Sequence, residues 1–186
     1  MRPSRAVALV AALVVAALGC KRSGPADGGG VGASKEDASA TAVLPFDLYF
    51  PAPAGRLRAE RRELRVATDS TARASVLVAA LLEGPTHEGL AAPLPAGVEV
   101  GTVYLSPAPD RVLYLEFRSA SLPAPPASGS EQELQTVYSV VDTVLLNIPE
   151  IRRVVLLWNG SQRESFAGHV DTASALGARE ALIDRS

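Results

Sequence analysis

The chain has 186 residues, 47% of them hydrophobic, a formal net charge of −2 and a single cysteine. That length is one domain's worth with enough apolar side chains for a core, which argues against a second full domain. The charge excludes a general nucleic-acid binder, since neutralising phosphates needs an excess of Lys and Arg; the lone cysteine excludes intramolecular disulfides and cysteine-rich zinc sites.

Taken in chain order, residues 1–19 come first as an address. Arg2 and Arg5 supply positive charge, residues 6–18 are an apolar run too short for a standard membrane span, and small residues precede a cut. Cys20 follows Ala17-Leu18-Gly19, a context that resembles the bacterial lipoprotein signal, in which such a thiol is diacylated before cleavage. The order Ala17 then Leu18 departs from the usual Leu followed by a small residue. The resemblance implies a lipid anchor at Cys20, with a membrane-attached domain facing the periplasm or exterior. Two or three acyl chains make such attachment effectively stable, where one is marginal. Because Lys21 is not the Asp that commonly retains lipoproteins at an inner membrane, an outer membrane is the expected home if the cell has one. Losing Arg2 and Arg5 leaves 16 basic residues against 20 acids, a mature charge of −4.

Residues 20–43 read as the lipidated cysteine and a linker. KRSGPADGGGVGASKEDASATA has almost no large apolar side chain, so it cannot bury enough surface to offset its ordering entropy. A coil of that length reaches on the order of 25 Å.

The domain is expected over residues 44–176, with 177–186 as a tail. Phe46-Asp47-Leu48-Tyr49-Phe50, bounded by Pro45 and Pro51, predicts a short strand. LRAERRELRVA interleaves Arg58, Arg61, Arg62 and Arg65 with Glu60 and Glu63; the mixed signs fit a solvated edge strand better than an anion site. Asp69 and Ser70 offer N-cap oxygens to a helix whose apolar stripe is Ala72, Val76, Ala79, Ala80 and Leu81 or Leu82, stopped by Gly84-Pro85. Residues 98–105 and 111–117 predict a hairpin around SPAPD, with Leu113, Leu115 and Phe117 on one face and Val112, Tyr114 and Glu116 on the other, one of the two being core. Residues 119–130 predict a Pro-rich loop or partly disordered insert. Ser130 and Glu133 have capping-box spacing at the start of a helix carrying Leu134, Val137, Val141, Leu145 and Ile148 and ended by Pro149. RVVLLW predicts a buried strand, and Asn159-Gly160 a hairpin turn into QRESF.

The sum is an α+β fold: a small mixed or antiparallel sheet with two helices on one face, in the pattern of a split β-α-β sandwich. From Pro45 to Leu176 the chain resembles the GerMN domain, a module named for a spore-germination protein. The residues that carry the likeness are Leu48-Tyr49-Phe50, residues 62–66, Leu81-Leu82-Glu83-Gly84-Pro85, Leu94-Pro95-Ala96-Gly97-Val98, residues 140–144, Pro149-Glu150-Ile151 and Gly168-His169-Val170-Asp171. Two departures stand out: the long Pro-rich insert, and Trp158-Asn159 where small or acidic residues are frequent. The resemblance implies a fold similar to ring-building motifs of envelope assemblies, and no catalytic residue.

His87, four residues after Glu83 and directly before Glu88, has the composition of an acid/base site, and Asp171 lies near His169. Neither belongs to a GxSxG elbow, an SxxK pair or an HExxH motif, and no Asp cluster has calcium-loop spacing, so no catalytic, metal or cofactor residue is assigned. Both histidines read as exposed. The expected function is a non-enzymatic, lipid-anchored envelope protein acting through protein contacts, by edge pairing or self-association. The alternative is a peptidoglycan-binding module whose stacking surface would draw on Phe46, Tyr49, Phe50, Tyr104, Tyr114 and Trp158, with Tyr114 and Trp158 as the first candidate ligand surface; a hydrolase using His87 or His169 ranks third.

Overall fold

The structure, a computed structural model, describes residues 41–185. The signal segment, Cys20 and nearly all of the linker lie outside the described residues. Strands β1 (Thr41–Ala52) and β2 (Arg56–Ala67) form a long antiparallel hairpin, followed by helix α1 (Ser70–Leu82). Strands β3 (Glu99–Leu105) and β4 (Val112–Arg118) form the second hairpin, helix α2 (Ser130–Asn147) follows, and β5 (Arg153–Trp158) turns into the two-residue β6 (Ser161–Gln162). The last element is β7 (Ile183–Asp184), after a short 3-10 turn.

The α+β class is as expected, but the strands divide into two sheets, ordered β1-β2-β7 and β3-β4-β5-β6. The parallel strands β4 and β5, joined through α2, are immediate neighbours with no strand between them, so the crossover is not split. Helix α1 packs on β2 and β3, and α2 on β1 and β5. Their buried faces meet Phe46, Leu48 and Phe50 of β1, Leu113, Leu115 and Phe117 of β4, and Val154 and Leu156 of β5 in one cluster. A core Phe or Leu of this kind contributes about 2–5 kcal/mol when measured by truncation to Ala.

Strand β1 runs through both prolines that were expected to bound it. It can do so because it is an edge strand. Alternate residues of an antiparallel strand point their backbone groups away from the partner, and here the outward N–H groups of Asp47 and Tyr49 donate to Asn147 Oδ1 (3.1 Å) and Thr143 Oγ1 (3.0 Å) on α2. Pro45 and Pro51 occupy the flanking outward positions, where a missing N–H leaves nothing unpaired. Helix α2 thus closes this edge.

Helix α1 is capped as expected, Asp69 accepting the Ala72 N–H at 2.8 Å, but its buried side is Ala74, Leu77, Val78, Ala80 and Leu81. Ala79 is exposed, and the stripe is rotated from the expected one because both sheets press on this helix. The capping box on α2 does not form. Gly129 is the N-cap with no side-chain bond, and Glu133 turns inward. The Pro-rich insert is a loop fastened to the core. Asn159 Oδ1 accepts the Ser119 N–H (3.0 Å), and Trp158 Nε1 and Asn159 Nδ2 donate to Leu122 O (3.0 and 3.1 Å). Asn159 and Gly160 both take positive φ, 47° and 82°, which the two-residue turn between β5 and β6 requires. Residues 177–185 are more than the tail expected there: β7 lies parallel to β2 at Leu57 and Arg58, and Arg56 donates to Ala181 O at 2.7 Å.

Candidate functional site

The two histidines occupy similar devices, and in each the partner is an acid far away in sequence. Glu60 projects from β2, 98% buried, and accepts the backbone N–H of Thr86 (2.9 Å) and of His87 (2.9 Å); His87 Nδ1 stands 2.7 Å from the same carboxylate and Arg62 donates to it from the other side. Glu133 on α2, fully buried, accepts the N–H groups of Ala167 (2.8 Å), His169 (3.0 Å) and Val170 (2.8 Å), with His169 Nδ1 at 2.9 Å. Neither Glu83 nor Glu88 takes part, and Asp171 caps its own turn through the Ala173 N–H.

Burial pushes the Glu60 carboxyl up, but the bonds from His87, Arg62 and Thr86 outweigh it and hold the group at about 2. Burial likewise opposes ionisation of Glu133, and the loop N–H groups with His169 bring it below the usual carboxylate range. A carboxylate ringed by donors is a fixed anion, poorly suited to exchange protons with a substrate near neutral pH. These are loop clasps: each carboxylate gathers the backbone N–H groups of a turn that has no sheet or helix partner for them. Arg62 extends the first clasp, donating to Ala80 O and Gly84 O at the end of α1. Among the described residues no three His, Cys, Asp or Glu side chains group as a metal site would require.

Helix α2 supplies further staples of the same kind. Gln135 Nε2 bridges Ala52 O and Arg56 O across the first hairpin turn, both at 2.7 Å, and Thr136 donates to Pro93 O. Asp142 is fully buried and accepts the Arg179 N–H at 2.8 Å, leaving Oδ2 without a partner. Burial pushes its carboxyl up to about 6.

Among the described residues two surfaces stand out as open. The face of the second sheet away from the helices presents Tyr104 and Tyr114, directly paired across β3 and β4 with ring centroids 6.1 Å apart. Below them Glu116 lies over Gly101, accepting the Thr102 N–H (2.9 Å) and Arg118 (2.8 Å). Arg118 and then the Thr102 N–H hold its carboxyl at about 2 against burial. An open recess of about 520 Å³ beside it is lined by Glu99, Glu116, Arg118 and Asn159. Tyr114 is therefore on an exposed face, as a ligand platform would need. Trp158 is not: it is 3% exposed on the opposite face, packed between Phe117 and Phe166, and the two candidate residues are not brought together. Tyr104, one of the aromatics the sequence offers for such a platform though not one of the two put first, stands in its place. The period-two alternation of β3 against β4 was the available signal.

The second open surface is the outer edge of β2. Strand β7 covers it only at Leu57 and Arg58, so among the described residues the backbone groups of residues 59–67 that point away from β1 have no strand partner. The model of the family described as Germane, sporulation and spore germination, matches residues 47–164, more than half of the sequence.

The chain belongs to the Germane family. Three solved structures share its fold. A chain from Clostridium perfringens described as a lipoprotein aligns at 19% identity and a TM-score of 0.50, covering 77% of this chain and 95% of that one. The first GerMN domain of the sporulation protein GerM from Bacillus subtilis aligns at 23% identity and 0.56, covering 74% and 98%. The tandem GerMN domains of the same protein align at 20% and 0.54, covering 73% of this chain and 46% of that one. No curated protein matches the sequence. The family match ends at Glu164, ahead of the loop that Glu133 clasps and of the segment that ends in β7.

Proposed function

We propose that this Germane-family chain is a non-catalytic, lipid-anchored protein of the cell envelope that works through protein contacts. The observation that carries the reading is the open edge of β2 on a domain whose two histidines are already committed to structural carboxylates. An unpaired strand edge is a ready-made template for another chain, and native domains that do not use one cover it; this domain covers β1 with α2 and leaves β2 open. Support for the anchor comes from the Cys20 context in the sequence and from the description of the Clostridium perfringens neighbour as a lipoprotein. No helix among the described residues is long and apolar enough to cross a membrane.

Mass spectrometry of the mature N-terminus tests the anchor, with acylated Cys20 expected as the first residue. A chain still starting at Met1, or an unmodified Cys20, overturns it. Crosslinking in intact cells tests the contacts: discrete crosslinked species through residues of β2 are expected, and an uncrosslinked chain overturns this part. A hydrolase activity abolished by His87→Ala or His169→Ala would overturn the non-catalytic part.

A second reading, glycan binding, is favoured by the Tyr104–Tyr114 pair on the uncovered face, since exposed aromatic rings stack on sugars. Retention on peptidoglycan sacculi that is lost in Tyr114→Ala supports it, and absence of retention removes it.

A further inference from the structure

We infer that the open edge of β2 pairs with the same edge of a second copy, antiparallel, about a two-fold axis at Leu64. The inference rests on the protein-contact reading above and names the surface, the partner and the register.

The backbone sets the first constraint. The β1–β2 register pairs Asp47 with Arg61 and Tyr49 with Ala59, and Asp47 and Tyr49 point their backbone groups away from β2. Phe46, Leu48 and Phe50 therefore exchange bonds with Arg62, Glu60 and Arg58. The odd-numbered residues of β2 point outward in consequence. A second β2 satisfies them only if odd residues face odd residues, which restricts the symmetric registers to axes at single residues.

Charge and apolar surface then choose among them. An axis at Glu63 would set Glu63 against itself and Arg61 against Arg65 of the copy, like charges directly opposite, which destabilises a ladder. An axis at Arg62 would bring two guanidinium-bearing residues together on the face where Arg62 is already committed to Glu60. An axis at Leu64 sets Glu63 opposite Arg65 of the copy, twice by symmetry, and leaves Arg61 with Asp47, its neighbour on β1 at 3.4 Å. Within β1–β2, Leu44 is paired with Leu64, so the same axis aligns Leu44, Leu64, and Leu64 and Leu44 of the copy in one row across a continuous four-stranded sheet. Leu44 is 40% exposed and Leu64 is half-buried in the single copy. Beside them a recess of about 240 Å³ is lined mostly by β1 and β2, among them Ala42, Leu44 and Val66, with Arg73 of α1 at its side. The row covers apolar surface that is only partly buried in the single copy. Strand β7 does not obstruct it, because it lies at Leu57 and Arg58 and the pairing uses residues 61–67.

Seven residues of ladder with one apolar row is a small interface, below the roughly 1,200 Å² of stable complexes, so the dimer is a weak one in solution. Confinement to a membrane surface raises its effective concentration.

Engineered disulfide formation reads the register. Leu64 facing Leu64 of the copy is a non-hydrogen-bonded pair, with Cα atoms about 4.5 Å apart, within disulfide range. In the full chain with Cys20→Ser, Leu64→Cys is expected to give a covalent dimer under mild oxidation at least tenfold faster than Ala79→Cys, an exposed site on α1. Equal rates overturn the proposal, and faster dimerisation of Arg62→Cys overturns the register. Sedimentation of the otherwise unaltered Cys20→Ser chain between 10 µM and 1 mM, on the order of the affinity expected for so small an interface, gives the second readout. Glu63→Arg is expected to abolish association and Glu63→Arg with Arg65→Glu to restore it. A strictly monomeric chain at 1 mM, or no restoration, sinks the self-pairing. Crosslinks from β2 to other proteins in cells would then still uphold the protein-contact reading, while their absence would remove both.

Discussion

Truncating Glu133 should damage this domain more than any exposed substitution, and the cost can be worked from the clasp. Glu133 is fully buried and its carboxylate accepts three backbone N–H groups at 2.8–3.0 Å, with His169 Nδ1 at 2.9 Å. A hydrogen bond to a charged group contributes about 1.5–3 kcal/mol, and an orphaned buried N–H costs about 1–3 kcal/mol. These do not add in full, since Ala167 is half-buried and His169 exposed, so water can reach part of the site once the side chain is gone. Phe166 and Val170 would still hold the loop by burial. Glu133→Ala should therefore cost about 3–5 kcal/mol, the range for removing one partner of a buried charge-paired group. Glu133→Gln keeps an oxygen for Ala167 and Val170 but turns a donor toward His169, for about 1–2 kcal/mol. His169→Ala removes an exposed partner and should cost under about 1 kcal/mol. Urea unfolding of the full chain, followed by fluorescence, suits the measurement because the only tryptophan, Trp158, packs edge-on against Phe166 next to this loop at 6.1 Å. A loss below about 1 kcal/mol for Glu133→Ala, or an equal loss for His169→Ala, would refute the clasp.

Other expectations follow from the remaining buried groups. Asp142 has its carboxyl raised from 3.8 to about 6, so the native state holds its proton more tightly than the unfolded chain; that stabilisation is complete below pH 3.8 and lost as pH rises through about 6. Asp142→Asn should then raise stability at pH 8 by on the order of 1–3 kcal/mol and flatten the profile between pH 4 and 6, and a less stable variant at pH 8 refutes the assignment. Glu60 and Glu116, lowered from 4.5 to about 2, act with the opposite sign: their stabilisation is present above pH 4.5 and lost toward pH 2, which places the maximum of the pH–stability curve between about 4.5 and 6. Gly101→Ala puts a methyl 2.7 Å from Glu116 Oε2 and 2.8 Å from Arg118 Nε, so thermal melting should show a loss of about 1–2 kcal/mol, and an unchanged midpoint would mean that this ion pair moves aside freely. Asn159→Gly keeps the turn geometry but drops the side-chain bonds to Ser119 and Leu122, so limited proteolysis should cut residues 119–129 several-fold faster with little change in melting; an unchanged cleavage rate refutes the fastening.

The elements written in local chemistry were legible in the sequence. Asp69 caps α1, Gly84 takes φ +91° to stop it, Asn159-Gly160 turns β5 into β6, and the alternation along β4 set Leu113, Leu115 and Phe117 on a face of their own, which the structure shows to be the core face. What failed was wherever a polar side chain serves a distant segment. Glu133 sits three residues after Ser130 and reads as half of a capping box, yet its partners are 34–37 residues away. Glu60 reads as one of several solvated charges on β2 and is the anchor for His87, 27 residues on. On α2 the buried Gln135, Thr136, Ser139, Asp142 and Thr143 dilute the apolar period, because the helix is enclosed on several sides, and all of these but Ser139 satisfy strand edges or loops. Periodicity sees which face is apolar; it cannot see which buried polar group has a backbone to hold.

The same reasoning joins the two places where the sequence departs from the family pattern. A long Pro-rich insert and a bulky Trp158-Asn159 looked like separate irregularities, one in a loop and one at a strand end. In the fold they are in contact. Proline contributes no N–H, so Pro123, Pro125 and Pro126 give the insert no donors of their own, and side chains of the strand end take part in fastening it. Trp158 and Asn159 supply them: the indole and amide donate to Leu122 O and Ser119 O, and Asn159 takes the one N–H offered by Ser119. Asn159 does this while also accepting the positive φ of the turn, which an acidic residue could adopt but whose carboxylate could not donate to those carbonyls. In this chain the loop is thus held by an amide and an indole at the end of β5. The residue types at the strand end and the length of the insert are then one structural adaptation.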